Sequence, residues 1–376
     1  MSDVVITAFD LVTAYGLGTD CVWKGLASNR SAIGPARRTG QARFEAAPTA
    51  ECAHLDPQSR DTAVWQLCRS LFDSTVVREQ SPAEDFFLST TVGEIELLER
   101  SLVDGSDAAE SSLANLCLKI ERYLGLQAGR GTVVSAACAS GSYALALAAS
   151  RIRQGLSASA MIVACDSVSE FVLAGFNSLM AMDKQGARPF DSARQGLSLG
   201  DGAAVMVLMN ADLARERNIP VLADVAGWGM SDDANHITGP SRDGAGLAQA
   251  IQGALTTAGI AARDISFISA HGTGTLYNDA MEMQAFKKIF SAPVPIYGLK
   301  GAIGHTLGAA GLIEAGMAAQ ALRRRSIPPT VGLSSPDPEA AGWVSAAPRV
   351  VSSDHALCVN AGFGGINAAV ILKRRD

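Results

Sequence analysis

One order of elements occurs twice along the chain. In each half an apolar run is followed by a second apolar run that ends in a glycine turn, then by a third that leads into a helical pattern, and finally by a closing apolar run. The matching runs are residues 4–12 and 221–228, 85–93 and 266–274, 132–135 and 295–299, and 160–164 and 356–359. Strand patterns that alternate with helical patterns predict α/β layers with buried sheets.

The division between the two halves follows a helical pattern at residues 210–218, after which a β-rich run begins at Val221. We therefore predict an N-terminal half over residues 1–215 and a C-terminal half over residues 216–376. Residue identity between the halves is too low to prove a duplication. Alternation alone equally permits one doubly wound sheet.

The composition limits the classes of protein to consider. Of the 376 residues, 48% are hydrophobic and 18% are charged, so the chain can bury a large core. The net charge of −6 argues against broad binding of nucleic acid. The apolar stretches are too short to span a membrane and the first residues lack a secretory signal, so we expect a cytoplasmic protein. The seven cysteines show no disulfide-like spacing, and we expect reduced thiols.

Cys138 lies between a β-rich run and an Ala-rich helical pattern, in the sequence Ala-Ala-Cys-Ala-Ser-Gly. A helix N-terminus presents unpaired N–H groups and the positive end of its dipole, which favour a thiolate over a thiol near neutral pH. The small neighbours Ala137, Ala139 and Gly141 leave room for a substrate. The pattern alone also permits an inert buried cysteine, which is the interpretation we give the other six.

Two of the five histidines, His271 and His305, lie at the glycine-rich ends of predicted strands. Such strand ends are where α/β folds bind ligands. A lone histidine there is more often a hydrogen-bonded or surface imidazole than a catalytic group, and we interpret His54, His236 and His355 in that way. No His-x-x-His or Cys-x-x-Cys pair accompanies the two strand-end histidines, so we predict no metal site.

Taken together, the motifs resemble those of the 3-oxoacyl-[acyl-carrier-protein] synthases of the thiolase superfamily. They are Ala-Ala-Cys138-Ala-Ser-Gly, His271-Gly-Thr-Gly-Thr, Lys300 five residues before His305, and Gly362-Phe-Gly-Gly-Ile-Asn367, in the order of the family. Four collinear motifs at matching spacing are hard to reach by chance. The resemblance implies a thiolase-like α/β fold of five layers, αβαβα, from two similar halves. The Cys-His-His set is typical of the elongating class.

The resemblance assigns catalytic roles to Cys138, His271, His305 and Lys300, and a supporting role to Glu314. Cys138 would accept an acyl chain from a carrier-protein thioester, because sulfur is both a good nucleophile and a good leaving group. His271 and His305 would donate hydrogen bonds to the thioester oxygen of a malonyl group as it loses CO2. Lys300 is expected to hold His305 and Glu314 in an ionic network that orients the imidazole.

The resemblance also assigns binding roles. Thr273 and Thr275 match residues that hydrogen-bond the phosphopantetheine arm. Phe363 matches the gate beside the nucleophile, and Gly364 allows close approach of the backbone. The backbone N–H groups of Cys138 and Phe363 are expected to bind the tetrahedral oxyanion. Three acidic residues are expected to be structural: Asp191, Asp279 and Glu282.

The implied reaction is decarboxylative Claisen condensation of the acyl chain on Cys138 with malonyl-[acyl-carrier-protein], giving 3-oxoacyl-[acyl-carrier-protein], in fatty acid or polyketide synthesis. No permanently bound cofactor is implied, because the phosphopantetheine arm of acyl carrier protein brings the substrates. The implied partners are acyl carrier protein and either a second copy or a related chain-length-factor subunit, paired through the strand at residues 131–135. The compact chain and the Lys300 motif resemble synthases of polyene pathways, such as aryl polyenes, more than they resemble housekeeping enzymes.

Two other functions are compatible with the same fold. A chain-length factor pairs with an active synthase and does not condense, but such partners usually lack the nucleophile. An acyltransferase or a chain-starting enzyme would keep the cysteine chemistry, although initiating relatives usually carry Cys-His-Asn. The joint presence of Cys138, His271 and His305 favours the elongating enzyme.

Overall fold

The computed structural model describes residues 3–38, 47–74, 83–105 and 107–375. The strands are β1 (Val4–Thr13), β2 (Gly16–Leu17), β3 (Asp85–Ser89), β4 (Thr132–Val134), β5 (Ser159–Asp166), β6 (Gly202–Asn210), β7 (Ala223–Asp232), β8 (Ile265–Ala270), β9 (Ile296–Gly298), β10 (Ser326–Ile327), β11 (Arg349–Val350), β12 (His355–Gly362) and β13 (Ile366–Lys373). The helices are α1 (Thr19–Ala27), α2 (Ala63–Phe72), α3 (Ile95–Asp104), α4 (Leu113–Tyr123), α5 (Ser140–Arg153), α6 (Glu170–Ser178), α7 (Ala211–Glu216), α8 (Ala245–Ala258), α9 (Leu276–Ile289), α10 (Lys300–Ile303) and α11 (Ala310–Arg324).

The strand order shows the repeat that the sequence predicts. The N-terminal strands lie in the order β4-β3-β5-β6-β1, and the C-terminal strands lie in the equivalent order β9-β8-β12-β13-β7. Each predicted pair of runs occupies the same place in its half, so that β1 matches β7, β3 matches β8, β4 matches β9 and β5 matches β12. The two sets join where β1 and β7 pair antiparallel at Val5 with Asp224 and Ile6 with Ala223. This mixed sheet is not the doubly wound alternative.

The apolar cores define five layers. Helices α5 and α11 lie between the two sheets and share one core with the inner faces of both. Helices α2 and α4 cover the outer face of the N-terminal strands, and α8 and α9 cover the outer face of the C-terminal strands. Helix α11 is buried at every residue from Ala310 to Ala319, as expected for a helix that is surrounded by protein. The predicted αβαβα arrangement is confirmed.

Glycines allow the two central helices to approach closely. A Cβ atom on Gly141 of α5 would lie 2.6 Å from the backbone nitrogen of Leu312 in α11. On the facing helix, a Cβ atom on Gly311 would lie 2.4 Å from Ser142 Oγ. This crossing places the N-terminus of α5, which follows Cys138, beside the N-terminal half of α11, which carries Glu314.

The predicted division at residues 215 and 216 stays a prediction, and helix α7 runs across it. Among the described residues, no helix has both the length and the apolar content that a membrane crossing requires.

The close helix crossing predicts opposite effects for the same substitution at two helical glycines. Gly141→Ala should lower the free energy of unfolding by about 1–3 kcal/mol, because the new methyl group meets backbone that cannot move aside easily. Gly175→Ala, in α6, meets nothing within 4 Å and should raise stability by about 0.5–1 kcal/mol. Urea unfolding at equal protein concentration measures both. A Gly141→Ala protein as stable as the unsubstituted one would show that the crossing is loose.

Candidate active site

Cys138 lies in a tight turn between β4 and α5, and only 6% of its surface is exposed. The preceding residue, Ala137, has a φ of 47°, a left-handed conformation that is strained for a residue with a side chain and that recurs at functional sites. The turn packs against Gly362 at the end of β12, where a Cβ atom would lie 3.2 Å from the Cys138 nitrogen. This contact places the backbone N–H of Phe363 near the Cys138 sulfur, where it lowers the pKa of the thiol.

Burial favours the neutral thiol form of Cys138 over the thiolate. Burial raises its pKa to about 12, although Lys300 and the Phe363 N–H act in the opposite direction. The sequence predicted a thiolate near neutral pH, and the structure does not support that form before substrate binds. The reason is that loss of solvent around the sulfur outweighs the favourable groups at the helix N-terminus. The position of Cys138 before helix α5 is as predicted.

His271 follows directly after β8 and is 2% exposed. Its backbone N–H and that of Gly272 donate to the two oxygens of Glu282, at 2.8 Å and 2.7 Å. Its ring nitrogen Nδ1 lies 3.2 Å from Lys300 Nζ. Since an ammonium group only donates, Nδ1 accepts and the proton of the neutral ring is on Nε2.

His305 lies between α10 and α11 and is 1% exposed. Its Nδ1 atom accepts a hydrogen bond from the Leu307 N–H at 3.3 Å, so this ring also carries its proton on Nε2. The Nε2 atom is buried and has no hydrogen-bond partner among the described residues. A buried N–H without a partner costs free energy, and it is therefore available to a substrate oxygen.

The two imidazole rings lie together and are both uncharged. Their centroids are 5.3 Å apart with the planes nearly perpendicular. Burial holds the pKa of His271 well below its usual value, and the charge of Lys300 and the neighbouring His305 lower it further. Burial also holds the pKa of His305 well below its usual value, and the charge of Lys300 lowers it further. At neutral pH the pair thus supplies two N–H donors without positive charge.

Lys300 contacts His271 and not His305, which corrects the expectation from sequence. Its Nζ atom donates to Glu314 Oε1 and to the His271 carbonyl oxygen, each at 2.5 Å, and reaches His271 Nδ1. His305 needs no such contact, because its own turn supplies the Leu307 N–H to Nδ1. Glu314 is buried and pairs with Lys300 as predicted.

A cavity of about 410 Å³ brings together six of the predicted site residues, while Lys300, Glu314 and Gly364 lie outside its wall. Cys138, His271 and His305 lie on its wall with Phe363, which packs against Phe176 at a centroid distance of 5.5 Å. Apolar side chains form much of the remaining wall, among them Leu179, Met180, Leu197 and Leu276. A buried nucleophile next to two donors in a largely apolar cavity suits an acyl thioester substrate.

The predicted binding residues are divided between the cavity wall and its support. Thr273 and Thr275 line the cavity, and their Oγ1 atoms are 2.9 Å apart. Their contact with a phosphopantetheine arm stays a prediction. Gly364 is not part of the wall; it has a φ of 90°, and its N–H donates to the carbonyl of Ile237.

Acidic side chains around the cavity hold backbone, in agreement with the structural role expected for them. Glu282 binds the strand end at His271, and Asp279 accepts from the Phe190 N–H at 2.7 Å. Asp191 accepts from the backbone N–H groups of Ser334 and Ser335. Within the described part of the chain, no group of three or more histidine, cysteine or acidic residues is placed to hold a metal ion.

Sequence reasoning missed two residues near the nucleophile. Asn360 contacts both Glu314 and His271, and Asp166 accepts hydrogen bonds from the Gly308 N–H and from Thr90 and Thr91. Asn360 lies within a buried apolar strand just before the Gly-Phe-Gly-Gly motif. A polar residue inside an otherwise apolar strand pattern was the sequence feature that could have identified Asn360.

Comparison with known proteins decides the family. Residues 89–214 match the domain described as "Beta-ketoacyl synthase, N-terminal domain", and residues 222–334 match "Beta-ketoacyl synthase, C-terminal domain". The putative polyketide beta-ketoacyl synthase 1 of Streptomyces cyaneus is 32% identical over 98% of this chain and 97% of its own length. The chain belongs to the β-ketoacyl synthase family.

Further relatives agree with this assignment. The 3-oxoacyl-[acyl-carrier-protein] synthase 2 of Vibrio cholerae is 36% identical over 65% of this chain and 63% of its own. Among solved structures, the ishigamide ketosynthase/chain length factor superposes with a TM-score of 0.90 and 28% identity over the whole of both chains. A β-ketoacyl synthase from Burkholderia phymatum superposes with a TM-score of 0.86 and 26% sequence identity, also over the whole of both chains. The predicted thiolase-like fold and enzyme class are confirmed.

The raised pKa of Cys138 predicts how this β-ketoacyl synthase reacts with iodoacetamide. In a Cys21→Ser background, which removes the exposed thiol, the alkylation rate of Cys138 should rise about tenfold per pH unit from about pH 6 to about pH 9. Intact-protein mass spectrometry with peptide mapping gives the rate. A rate that levels off by about pH 8 would mean that a thiolate is already present at rest.

Proposed function

We propose that this β-ketoacyl synthase transfers an acyl chain from acyl carrier protein to Cys138 and condenses it with malonyl-[acyl-carrier-protein]. The product is 3-oxoacyl-[acyl-carrier-protein], and CO2 is released. The observation that carries the proposal is the pair of imidazoles beside a buried thiol, both with Nδ1 occupied by a donor so that Nε2 carries the proton. The Nε2 atom of His305 has no partner among the described residues.

Acyl transfer to Cys138 is a transthioesterification. The Cys138 sulfur attacks the carrier thioester, the bond from the carbonyl carbon to the carrier sulfur breaks, and the Cys138 proton ends on the departing carrier thiol. The position before helix α5 and the Phe363 N–H stabilise negative charge on sulfur as the proton leaves. Neither imidazole is proposed as the base for the Cys138 thiol. Both Nδ1 atoms already accept hydrogen bonds and both Nε2 atoms carry a proton, so neither ring has a free lone pair.

Decarboxylation needs donors at the malonyl thioester oxygen. As the bond to the carboxylate carbon breaks, CO2 leaves and the electron pair moves into an enolate whose oxygen carries the charge. The Nε2–H groups of His271 and His305 are oriented before the reaction and lie in a buried site. Hydrogen bonds there are stronger than in water.

Condensation completes the cycle. The enolate carbon attacks the acyl-Cys138 carbonyl and forms the new carbon–carbon bond. The backbone N–H groups of Cys138 and Phe363 hold the tetrahedral oxyanion. The bond from carbon to sulfur then breaks, and the Cys138 thiolate leaves and takes a proton. The contact of Gly362 with the Cys138 turn supports this placement of the two N–H groups.

The partners are proposed from the relatives and from the sheet. The Vibrio relative is named for acyl carrier protein, and the ishigamide structure combines a ketosynthase with a chain length factor. Strand β4 is one of the two edge strands of the described sheet, so it can pair across a two-fold axis with a second copy or with a related subunit. The carrier brings its own phosphopantetheine arm, and no resident cofactor is part of the proposal. A polyketide pathway fits the Streptomyces cyaneus relative, which is named a putative polyketide beta-ketoacyl synthase.

Loss of the nucleophile and loss of a donor should affect different steps. Cys138→Ala should abolish the acyl adduct and still decarboxylate malonyl-[acyl-carrier-protein], because His271 and His305 remain. His305→Ala should still accept the acyl group, while decarboxylation falls by roughly 100-fold or more, the scale for one oxyanion donor. Intact-protein mass spectrometry measures the adduct, and CO2 release measures decarboxylation.

The matched control is His355→Ala, at the start of β12 and outside the cavity, which should leave both steps unchanged. If the unsubstituted protein forms no adduct on Cys138, the chain is a partner subunit without condensing activity. If His305→Ala eliminates the adduct while decarboxylation persists, His305 acts as the base for the thiol and the division of labour is wrong.

A further inference from the structure

A buried asparagine lies beside His271, and none of the steps above uses it. Asn360 is in β12, three residues before Phe363, and has no exposed surface. Its Oδ1 atom accepts a hydrogen bond from Ser142 Oγ at 2.5 Å. Its Nδ2 atom donates to Glu314 Oε2 at 2.6 Å and lies 3.3 Å from His271 Nδ1.

The partners of Asn360 fix which way its amide points. Glu314 is a carboxylate whose other oxygen already binds Lys300, so it requires a donor from Asn360. The Ser142 hydroxyl supplies a donor to Oδ1 on the other side. A flipped amide would place its oxygen against the Glu314 carboxylate. The group that faces His271 is therefore the NH2, which can donate and cannot accept.

This arrangement determines the tautomer of His271. Nδ1 faces two donors, Lys300 Nζ at 3.2 Å and Asn360 Nδ2 at 3.3 Å, and both are tied to the same carboxylate of Glu314. A proton on Nδ1 would meet two N–H groups and no acceptor. The ring proton is thus kept on Nε2, the nitrogen available to the substrate.

The hydrogen bond from Ser142 depends on the close crossing of the central helices. A Cβ atom on Gly311 would lie 2.4 Å from Ser142 Oγ and 2.9 Å from Asn360 Oδ1, so only glycine leaves room for the bond. Ser142 is four residues after Cys138 in the same chain segment. The bond links the helix that follows the nucleophile to the residue beside His271.

We propose that Asn360, held in orientation by Ser142, is a positioning residue that keeps the proton of His271 on Nε2. The proposal rests on the proposed function, in which this N–H binds the malonyl thioester oxygen. Asn360 acts through His271 and does not touch the reacting atoms.

The test replaces the donor by an acceptor of nearly the same shape. Asn360→Asp should raise the share of His271 rings that carry their proton on Nδ1, because Lys300 Nζ is then the one donor left to that atom among the described residues and the new carboxylate can accept from it. Proton–nitrogen correlation spectra of protein labelled with 15N-histidine measure this share without any substrate. Decarboxylation of malonyl-[acyl-carrier-protein] should fall as the share of rings with an Nε2 proton falls, up to the roughly 100-fold that loss of one oxyanion donor causes. Acylation of Cys138 should not change. Asn367→Asp, which also buries a new carboxylate but does not contact His271, should leave the His271 signals in place.

A second variant covers the case in which Asn360→Asp fails to fold. Ser142→Ala leaves Oδ1 without its donor, and decarboxylation should fall roughly tenfold with acylation unchanged. The proposal is overturned if the share of His271 rings with the proton on Nδ1 is the same in Asn360→Asp as in the unsubstituted protein, or if acylation falls in step with decarboxylation in Ser142→Ala. An unsubstituted protein that does not decarboxylate contradicts the proposed function instead, and the spectra still decide where the His271 proton lies.

Discussion

The buried ion pair of Lys300 with Glu314 is the interaction on which the site depends. Both side chains lie between the sheets with almost no exposed surface, and burying two charges costs several kcal/mol per ion unless each is paired and hydrogen-bonded. Here Lys300 also binds the carbonyl and Nδ1 of His271, and Glu314 also accepts from Asn360. Burial lowers the pKa of His271, the charge of Lys300 lowers it further, and the same network fixes the tautomer of the ring.

The repeated fold explains why the site lies where it does. Strands β4 and β9 hold equivalent places in the two halves of the sheet, and Cys138 follows β4, His271 follows β8, and Lys300 and His305 follow β9. The central helices α5 and α11 begin at these loops and cross at glycines. One half therefore supplies the nucleophile and the other supplies the oxyanion donors, so the chemistry needs both halves in contact.

The sequence predicted the repeat of strand and helix patterns from apolar periodicity, which is a local property, and it predicted the cavity residues Cys138, His271 and His305 from motifs that resemble those of the family. It was insufficient for three features that depend on packing. The pKa of Cys138 follows from how completely the sulfur is buried, which the helix pattern does not reveal. Lys300 contacts Nδ1 of His271, whereas Nδ1 of His305 accepts from the Leu307 N–H, and neither contact can be read from motif spacing. The role of Asn360 depends on a contact with Ser142, 218 residues away in sequence.

The central claim is that two uncharged imidazoles bind the thioester oxygen during decarboxylation. The pH dependence of malonyl decarboxylation by the Cys138→Ala protein tests it directly, since no acyl transfer intervenes. With both histidine pKa values held well below their usual range, the rate should be constant from about pH 6 to about pH 8. A rate that rises as the pH falls through about 6.5 would show that an imidazolium is the active form and would contradict the account.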